Sequence, residues 1–135
     1  MSLANLFNHP QFLRRVLTVD AVASGAMGLM LLAAATPLAG PLGLPVELLL
    51  GAGIILVPYA IAVFWLARRP SLPRIGVWAV IAINALWVLE SVAVLLVGWT
   101  HPTVFGHAFV LMQAAFVALM AELEFIGLRR VTAQA

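Results

Sequence analysis

The sequence predicts an all-α integral membrane protein, a bundle of four antiparallel transmembrane helices that run up and down with both termini in the cytoplasm. Three observations predict this fold. Of the 135 residues, 64% are hydrophobic and only 9% are charged, whereas an average soluble domain is about 25% charged. Four apolar stretches have the length of about 20 residues that crosses a bilayer core. Finally, the seven basic residues are all arginines at the ends of these stretches.

The same composition excludes other classes of protein. Intrinsic disorder requires low hydrophobicity and high charge, the reverse of what is found here. The chain has no cysteine, which excludes a disulfide scaffold and a cysteine-ligated metal site. The basic residues form no patch on a soluble face, so no nucleic-acid partner is expected. Alternating strand patterns are absent, so the spanning elements are helices, which satisfy their own backbone hydrogen bonds.

The chain is predicted to be a single membrane domain over residues 1–135, in which 1–13 is a cytoplasmic N-terminal segment. The four predicted spans cover about 16–35, 46–67, 75–99 and 104–128. Thr36-Pro37 and the glycine- and proline-rich run 40–45 are expected to break the chain after the first span. The other connections, 68–74 and 98–102, are also short, so consecutive helices should be antiparallel neighbours.

The arginines predict the orientation of the bundle. Two precede the first span, three lie between the second and third spans, and two follow the fourth, while the other two connections have no arginine or lysine. Positive residues stay on the cytoplasmic side of a membrane. Both termini and the middle loop are therefore expected to face the cytoplasm, with the chain in the cell membrane, as in a bacterial inner membrane.

A weak internal similarity relates the two halves of the chain. Asp20-Ala21 and Asn84-Ala85 open the polar parts of spans one and three, and Thr36-Pro37 and Thr100-His101-Pro102 close them. A repeated helical hairpin would explain these matches. Short apolar helices also match by chance, so both interpretations stay open.

Ionisable residues at membrane depth are costly, about 2.5–3.5 kcal/mol each on insertion scales, and they mark candidate sites. Glu90 is the most deeply placed and is the first candidate. Asp20 lies about 8 Å inside the arginine edge, from a rise of 1.5 Å per residue. Glu122 matches this depth, whereas Glu124 is closer to the edge. If Asp20 and Glu122 meet in apolar surroundings, one of them should hold a proton, unless an arginine neutralises each.

Helical spacing suggests further partners for these acids. Glu90 and Gln113 are equally far from the turn that joins their helices, so a hydrogen bond between them is expected. Asn84 shares one face of the third span with Trp87. Glu122 and Glu124 point in nearly opposite directions, so only one of them can face the interior. For Asn84 and Gln113 the alternative is ordinary packing between helices, worth about 0.6 kcal/mol each.

Aromatic and histidine residues give weaker indications. Trp87 lies in mid-span, and Tyr59 follows the kink expected at Pro58, so these two aromatic residues are candidates for lining a pocket. His101 and His107 do not share a helix face, and too few further ligands are nearby for a metal centre. No metal site and no cofactor are predicted.

No motif of a soluble enzyme is present, and the short loops leave little protein outside the bilayer. The sequence therefore favours a non-enzymatic membrane module, an accessory or assembly subunit that acts through helix contacts. One alternative is a small oligomeric transporter or channel that uses Glu90, or the Asp20 and Glu122 level, as a proton or cation site. A second alternative is a binder of a lipid or quinone. The expected partners are the lipid bilayer and either a second copy or a larger membrane complex.

Overall fold

A computed structural model describes residues 11–98 and 100–134. The described chain is helical, with α1 at Phe12–Leu42, α2 at Val46–Ala67, α3 at Arg74–Leu96 and α4 at Val104–Gln134. All four helices are long and apolar enough to cross a membrane. Most of the N-terminal segment predicted for 1–13 lies outside the described residues. Phe12 and Leu13 already belong to α1 and are buried.

The first helix is longer than the sequence predicted, because Pro37 and Pro41 do not end it. Both prolines lie inside α1, which continues to Leu42. A proline removes one backbone donor and leaves a carbonyl without its usual partner. Such groups are tolerated in a membrane helix where other partners reach them. Pro37 and Pro41 are exposed. The carbonyl of Pro41 lies in the last turn of the helix, where the final carbonyls have no intrahelical donor, and it accepts a hydrogen bond of 2.7 Å from the Thr103 hydroxyl.

Gly43 ends the first helix. Its φ of 65° lies in the left-handed region, which favours glycine. The Gly43 N–H donates to the carbonyl of Gly40 at 3.1 Å, and the Leu44 N–H donates to that of Ala39 at 3.2 Å. This pair of bonds is a Schellman motif, which satisfies the carbonyls at a helix end. Within the run 40–45, the helix therefore ends at Gly43 and not at Gly40 or Pro41.

Glycines bring α1 and α2 into close contact. A Cβ atom added to Gly53 would lie 2.9 Å from the carbonyl oxygen of Gly28, and one added to Gly28 would lie 3.0 Å from the Cβ of Leu56. Small residues let membrane helices approach closely and gain van der Waals contact. These positions fix the distance between the two helices and, through it, the placement of their polar side chains.

The contacts between helices define two ends of the bundle. Helix α1 packs against α2 and α4, and α4 packs against α3, whereas the backbones of α2 and α3 hardly approach each other. At one end, here called the arginine end, the Arg14 guanidinium donates to the carbonyls of Ala67 and Arg69 at 2.5 and 2.6 Å. At the opposite end, the Thr103 N–H donates to the carbonyl of Leu42 at 3.0 Å.

The apolar core is divided into two main parts. One cluster lies at the arginine end and includes Leu17, Val63, Val77 and Leu128. The other lies toward the opposite end and includes Leu31, Leu49, Leu56 and Val110. Polar side chains occupy the level between these two clusters.

Candidate functional site: a buried polar cluster

Each helix contributes one side chain to a polar cluster inside the bundle. The four are Asp20 on α1, Tyr59 on α2, Asn84 on α3 and Glu124 on α4, and Ser24 joins them from α1. Asp20 is 2% exposed, Asn84 is 3% exposed and Glu124 is 0% exposed. These three side chains are therefore buried by the helices that build the cluster, while Ser24 and Tyr59 are half-buried at its edge.

Asn84 lies at the centre of the cluster. Its amide nitrogen donates to Oδ2 of Asp20 at 3.0 Å and to Oε1 of Glu124 at 2.8 Å. Both hydrogens of one amide group are therefore used by two carboxyl groups from different helices. The shared nitrogen atom brings the two carboxyl groups into one cluster.

Tyr59 and Ser24 complete the contacts of Asp20. The phenol oxygen of Tyr59 lies 2.9 Å from Oδ2 of Asp20 and 2.8 Å from Oδ1 of Asn84. The Ser24 hydroxyl donates to Oδ1 of Asp20 at 3.1 Å. Oε2 of Glu124 is buried and has no hydrogen-bond partner among the described residues. An unsatisfied buried oxygen of this kind costs about 1–3 kcal/mol, more if it is charged.

Helical periodicity explains why these polar residues face inward. Asp20 follows Leu13 and Leu17 on one face of α1, and Asn84 follows Val77 and Val80 on one face of α3, and all of these residues are buried. Residues three and four positions apart share a helix face. Each polar side chain therefore extends an apolar stripe that the packing already buries.

The contacts of the cluster outnumber the hydrogens on its hydroxyl and amide groups. Ser24, Tyr59, Asn84 and the two acids make five contacts, and the hydroxyl and amide groups supply four hydrogens. Either the phenol hydrogen is shared between Oδ2 of Asp20 and Oδ1 of Asn84 in a three-centre bond, or Oδ2 of Asp20 carries a fifth hydrogen and donates it to the phenol oxygen. The geometry therefore accommodates a bound proton on Asp20.

The Arg14 side chain donates to the backbone carbonyls of Ala67 and Arg69 rather than to a carboxyl group of the cluster. The described contacts of Arg14 therefore do not neutralise Asp20 or Glu124. A shared proton is one way to reduce the charge of two neighbouring buried carboxyl groups.

Glu122 does not join Asp20, although the two residues match in depth. Its side chain is exposed on the outside of α4, while Glu124 occupies the position beside Asp20. Two residues along a helix correspond to a rotation of about 200°, so the two glutamates face opposite sides. Glu124 lies on the same face of α4 as Gln113, Val117 and Met120. This spacing is the signal in the sequence that identifies Glu124 as the glutamate on a face with other inward-facing residues.

Glu90 and Gln113 lie apart from the cluster. Both line a cavity of about 270 Å³ in the half of the bundle opposite the arginine end, together with Trp87. The structure gives no hydrogen bond between Glu90 and Gln113 in the part of the chain that it describes. Glu90 is exposed at the side of the bundle, and the Trp87 indole nitrogen is buried without a described partner. Tyr59 is not among the residues that line this cavity.

No protein-family model matches the chain. No curated protein and no solved structure matches it either. The function is therefore argued from the geometry of the cluster and of the cavity.

Proposed function

We propose that this chain is a small proton-coupled transport protein of a bacterial inner membrane, in which the carboxyl pair of Asp20 and Glu124 takes up and releases one proton. The observation that supports this proposal is the sharing of one Asn84 amide nitrogen by the two buried acids. Charged residues at membrane depth are rare and mark proton relays and ion pathways.

The proposed topology is an antiparallel up-down bundle with both termini and the loop of residues 68–73 in the cytoplasm. The contacts of Arg14 with Ala67 and Arg69 support it, because they bring arginine-rich segments to one end. The opposite end, where Leu42 meets Thr103, has no arginine or lysine in its connections. By the positive-inside rule, the arginine end then faces the cytoplasm, and the cluster lies nearer that side.

Packing alone is a poor explanation for the cluster. Polar contacts between membrane helices can be made by neutral side chains such as Asn, Gln and Ser, which carry no charge to desolvate. A buried carboxyl group adds a desolvation cost of several kcal/mol without a better contact. Two carboxyl groups side by side are therefore more useful for binding a proton than for holding helices together.

A proton fits the cluster better than a metal cation does. Cation sites such as those for calcium surround the ion with six to eight oxygen ligands. Here the Asn84 nitrogen, a hydrogen-bond donor, lies between the carboxyl oxygens of Asp20 and Glu124 at 3.0 and 2.8 Å. A donor in that position repels a cation and leaves the carboxyl pair to hold a proton.

An accessory or assembly subunit is the second candidate, and the exposure of α3 favours it. Within the described part of this helix, only Val77, Val80 and Asn84 are buried. Large side chains such as Leu89 and Ile83 are 68% and 46% exposed. Lipid would cover this face of a solitary protein, and a helix of a second copy or of a larger complex would cover it in an assembly.

Infrared difference spectroscopy between acidic and alkaline pH tests the proton site directly. Protein reconstituted in liposomes should show the C=O stretch of a protonated carboxylic acid, and this band should be lost on alkaline titration. Asp20→Asn and Glu124→Gln should each shift or remove the titrating band, because each changes the pair of acids that holds the proton. Glu122→Gln is the matched control, since it removes a glutamate two positions away that lies outside the cluster.

A band that is unchanged in both Asp20→Asn and Glu124→Gln would contradict the proton site. The accessory role makes a different prediction. It requires copurification with a larger membrane complex, and the activity of that complex should persist in Asp20→Asn, because the carboxamide preserves the shape of the cluster.

A further inference from the structure

The cavity that contains Glu90 lies in a cleft between α2 and α3. Its lining comes mainly from the first half of α2, the second half of α3 and the first half of α4. The backbones of α2 and α3 hardly approach each other, so the cleft is not closed by helix packing. A cavity of about 270 Å³ with this opening can admit a small molecule from the side of the bundle.

The lining combines negative charge with apolar and aromatic walls. Glu47 and Glu90 both line the cavity, and no arginine, lysine or histidine does so among the described residues. Trp87 and Phe109 provide aromatic rings, whose faces attract cations by about 0.5–2 kcal/mol. The remaining lining is largely leucine, isoleucine, valine, alanine and glycine.

We infer that this cavity binds an amphipathic molecule with one organic cationic group, and that Glu90 is the countercharge of that group. A carboxylate in apolar surroundings is stabilised by a partner of opposite charge. Glu47 adds a second negative charge at the same cavity, and the apolar walls accommodate the rest of the molecule. Two sources share this chemistry, a lipid with an ammonium headgroup and a free lipophilic cation.

A second cavity lies beside this one and reaches the edge of the polar cluster at Ser24. It has a volume of about 330 Å³, and it shares Phe109 and Gln113 with the first cavity. Its lining also includes Ser24, whose hydroxyl donates to Asp20. A positive charge in the first cavity would therefore lie on the same side of the bundle as Ser24, the residue through which the second cavity reaches Asp20. Like charges repel, so cation binding should promote release of the proton from the cluster.

An organic cation is then the substrate class of the proposed transporter. The release of a proton on cation binding rests on the proposed function, whereas cation binding itself does not. Binding can be measured separately by calorimetry with tetraphenylphosphonium on the purified full chain in lipid nanodiscs. Wild-type protein should bind this cation and should not bind tetraphenylborate, an anion of nearly the same size and shape. Glu90→Gln should weaken binding at least about tenfold, because it removes the charge that faces the cation.

Three further variants keep the test informative. Glu47→Gln should weaken binding to a smaller extent, and Ala52→Phe should abolish it by filling the cavity without changing its charge. Glu122→Gln should bind like wild type, because Glu122 does not line the cavity. Retained elution volume and helical circular dichroism show that a variant is folded. Equal binding of the cation and the anion, or unchanged binding in Glu90→Gln and Ala52→Phe, would overturn the inference.

The two proposals fail in distinguishable ways. Loss of the infrared band in Glu124→Gln together with no cation binding in the wild type would overturn the cavity assignment and leave the proton site standing. Cation binding without release of a proton into a weakly buffered medium would overturn the coupling. Nanodiscs rich in phosphatidylethanolamine identify the source of the cation. If this lipid competes with tetraphenylphosphonium, the cavity binds a lipid ammonium group. If it does not compete, the cavity binds a free cation.

Discussion

The carboxyl groups of Asp20 and Glu124 contact the same Asn84 amide nitrogen inside the bundle, although α1 and α4 are at opposite ends of the chain. Asn84 holds both of them with the two hydrogens of its amide group. Because the three residues come from three different helices, the cluster forms only when these helices are packed together. The proposed proton site therefore depends on the tertiary fold. The predictions below separate its contribution to stability from that of the surrounding packing.

Asn84→Ala should lower the free energy of unfolding by about 2–4 kcal/mol, because it leaves two buried carboxyl groups without their shared donor. Ser91→Ala is the matched control on the same helix. The Ser91 hydroxyl donates to the Trp87 carbonyl at 2.7 Å, a bond within one helical turn. The control should change stability by no more than about 0.5 kcal/mol. Denaturant unfolding in mixed micelles, followed by circular dichroism, measures both values, and equal stability of the two variants would contradict the role of Asn84.

Glu124→Ala and Glu122→Ala should differ sharply, although they change the same residue type on the same helix. Glu124 is 0% exposed and contacts Asn84 at 2.8 Å. Its removal should destabilise the fold by about 2–4 kcal/mol through a cavity and a lost hydrogen bond. Glu122→Ala should have little effect, since that side chain is exposed. Thermal melting of the two variants in detergent checks this difference, and a larger loss for Glu122→Ala would place the wrong glutamate in the cluster.

Gly53→Val should disrupt the packing of α1 against α2, while Gly51→Val should be tolerated. A Cβ at Gly53 would meet the Gly28 carbonyl at 2.9 Å, whereas a Cβ at Gly51 would meet nothing within 4 Å. Overpacking of a close contact costs about 1–3 kcal/mol, more where backbone must move. The comparison is made by the melting temperature and by crosslinking between cysteines introduced on the two helices. Identical behaviour of the two valine variants would show that the helices do not meet at Gly53.

Thr103→Val should loosen the end of the bundle opposite the arginine end. The Thr103 hydroxyl accepts a hydrogen bond of 3.1 Å from the Gly106 N–H and donates one of 2.7 Å to the Pro41 carbonyl. Loss of a helix cap costs about 1 kcal/mol, and the freed proline carbonyl adds to this. Hydrogen exchange at the first turn of α4 should increase, while exchange near Glu124 stays unchanged. Faster exchange along the whole of α4 would indicate a global effect instead.

The sequence predicted much of the fold because the constraint of a bilayer can be counted along the chain. A run of about 20 apolar residues identifies a spanning helix whatever its neighbours are. The starts of α2 and α4, Val46 and Val104, were predicted correctly for this reason. The end of α1 was not, because the run from Thr36 to Pro45 contains several breaking residues. Only the backbone conformation of Gly43 and the contact with Thr103 decide which residue ends the helix.

The candidate site was predictable in part for the same reason. Depth along a helix follows from residue counting, and this depth identified the level of Asp20. The residue type alone marked Asn84 as a polar side chain inside a span. Rotation about the helix axis relative to a neighbour does not follow from counting. Depth alone therefore favoured Glu122, while the packing of α4 against α1 buries Glu124.

The sequence by itself thus determined the number and apolar character of the helices, because transfer into a bilayer depends on composition over a window of residues. Only the tertiary structure decided which polar side chains meet. It brings Asp20, Tyr59, Asn84 and Glu124 to one point and leaves Glu90 in a separate cavity. The physical reason is that a hydrogen bond requires atoms within about 3 Å, and that distance is set by the relative rotation and spacing of four helices at once.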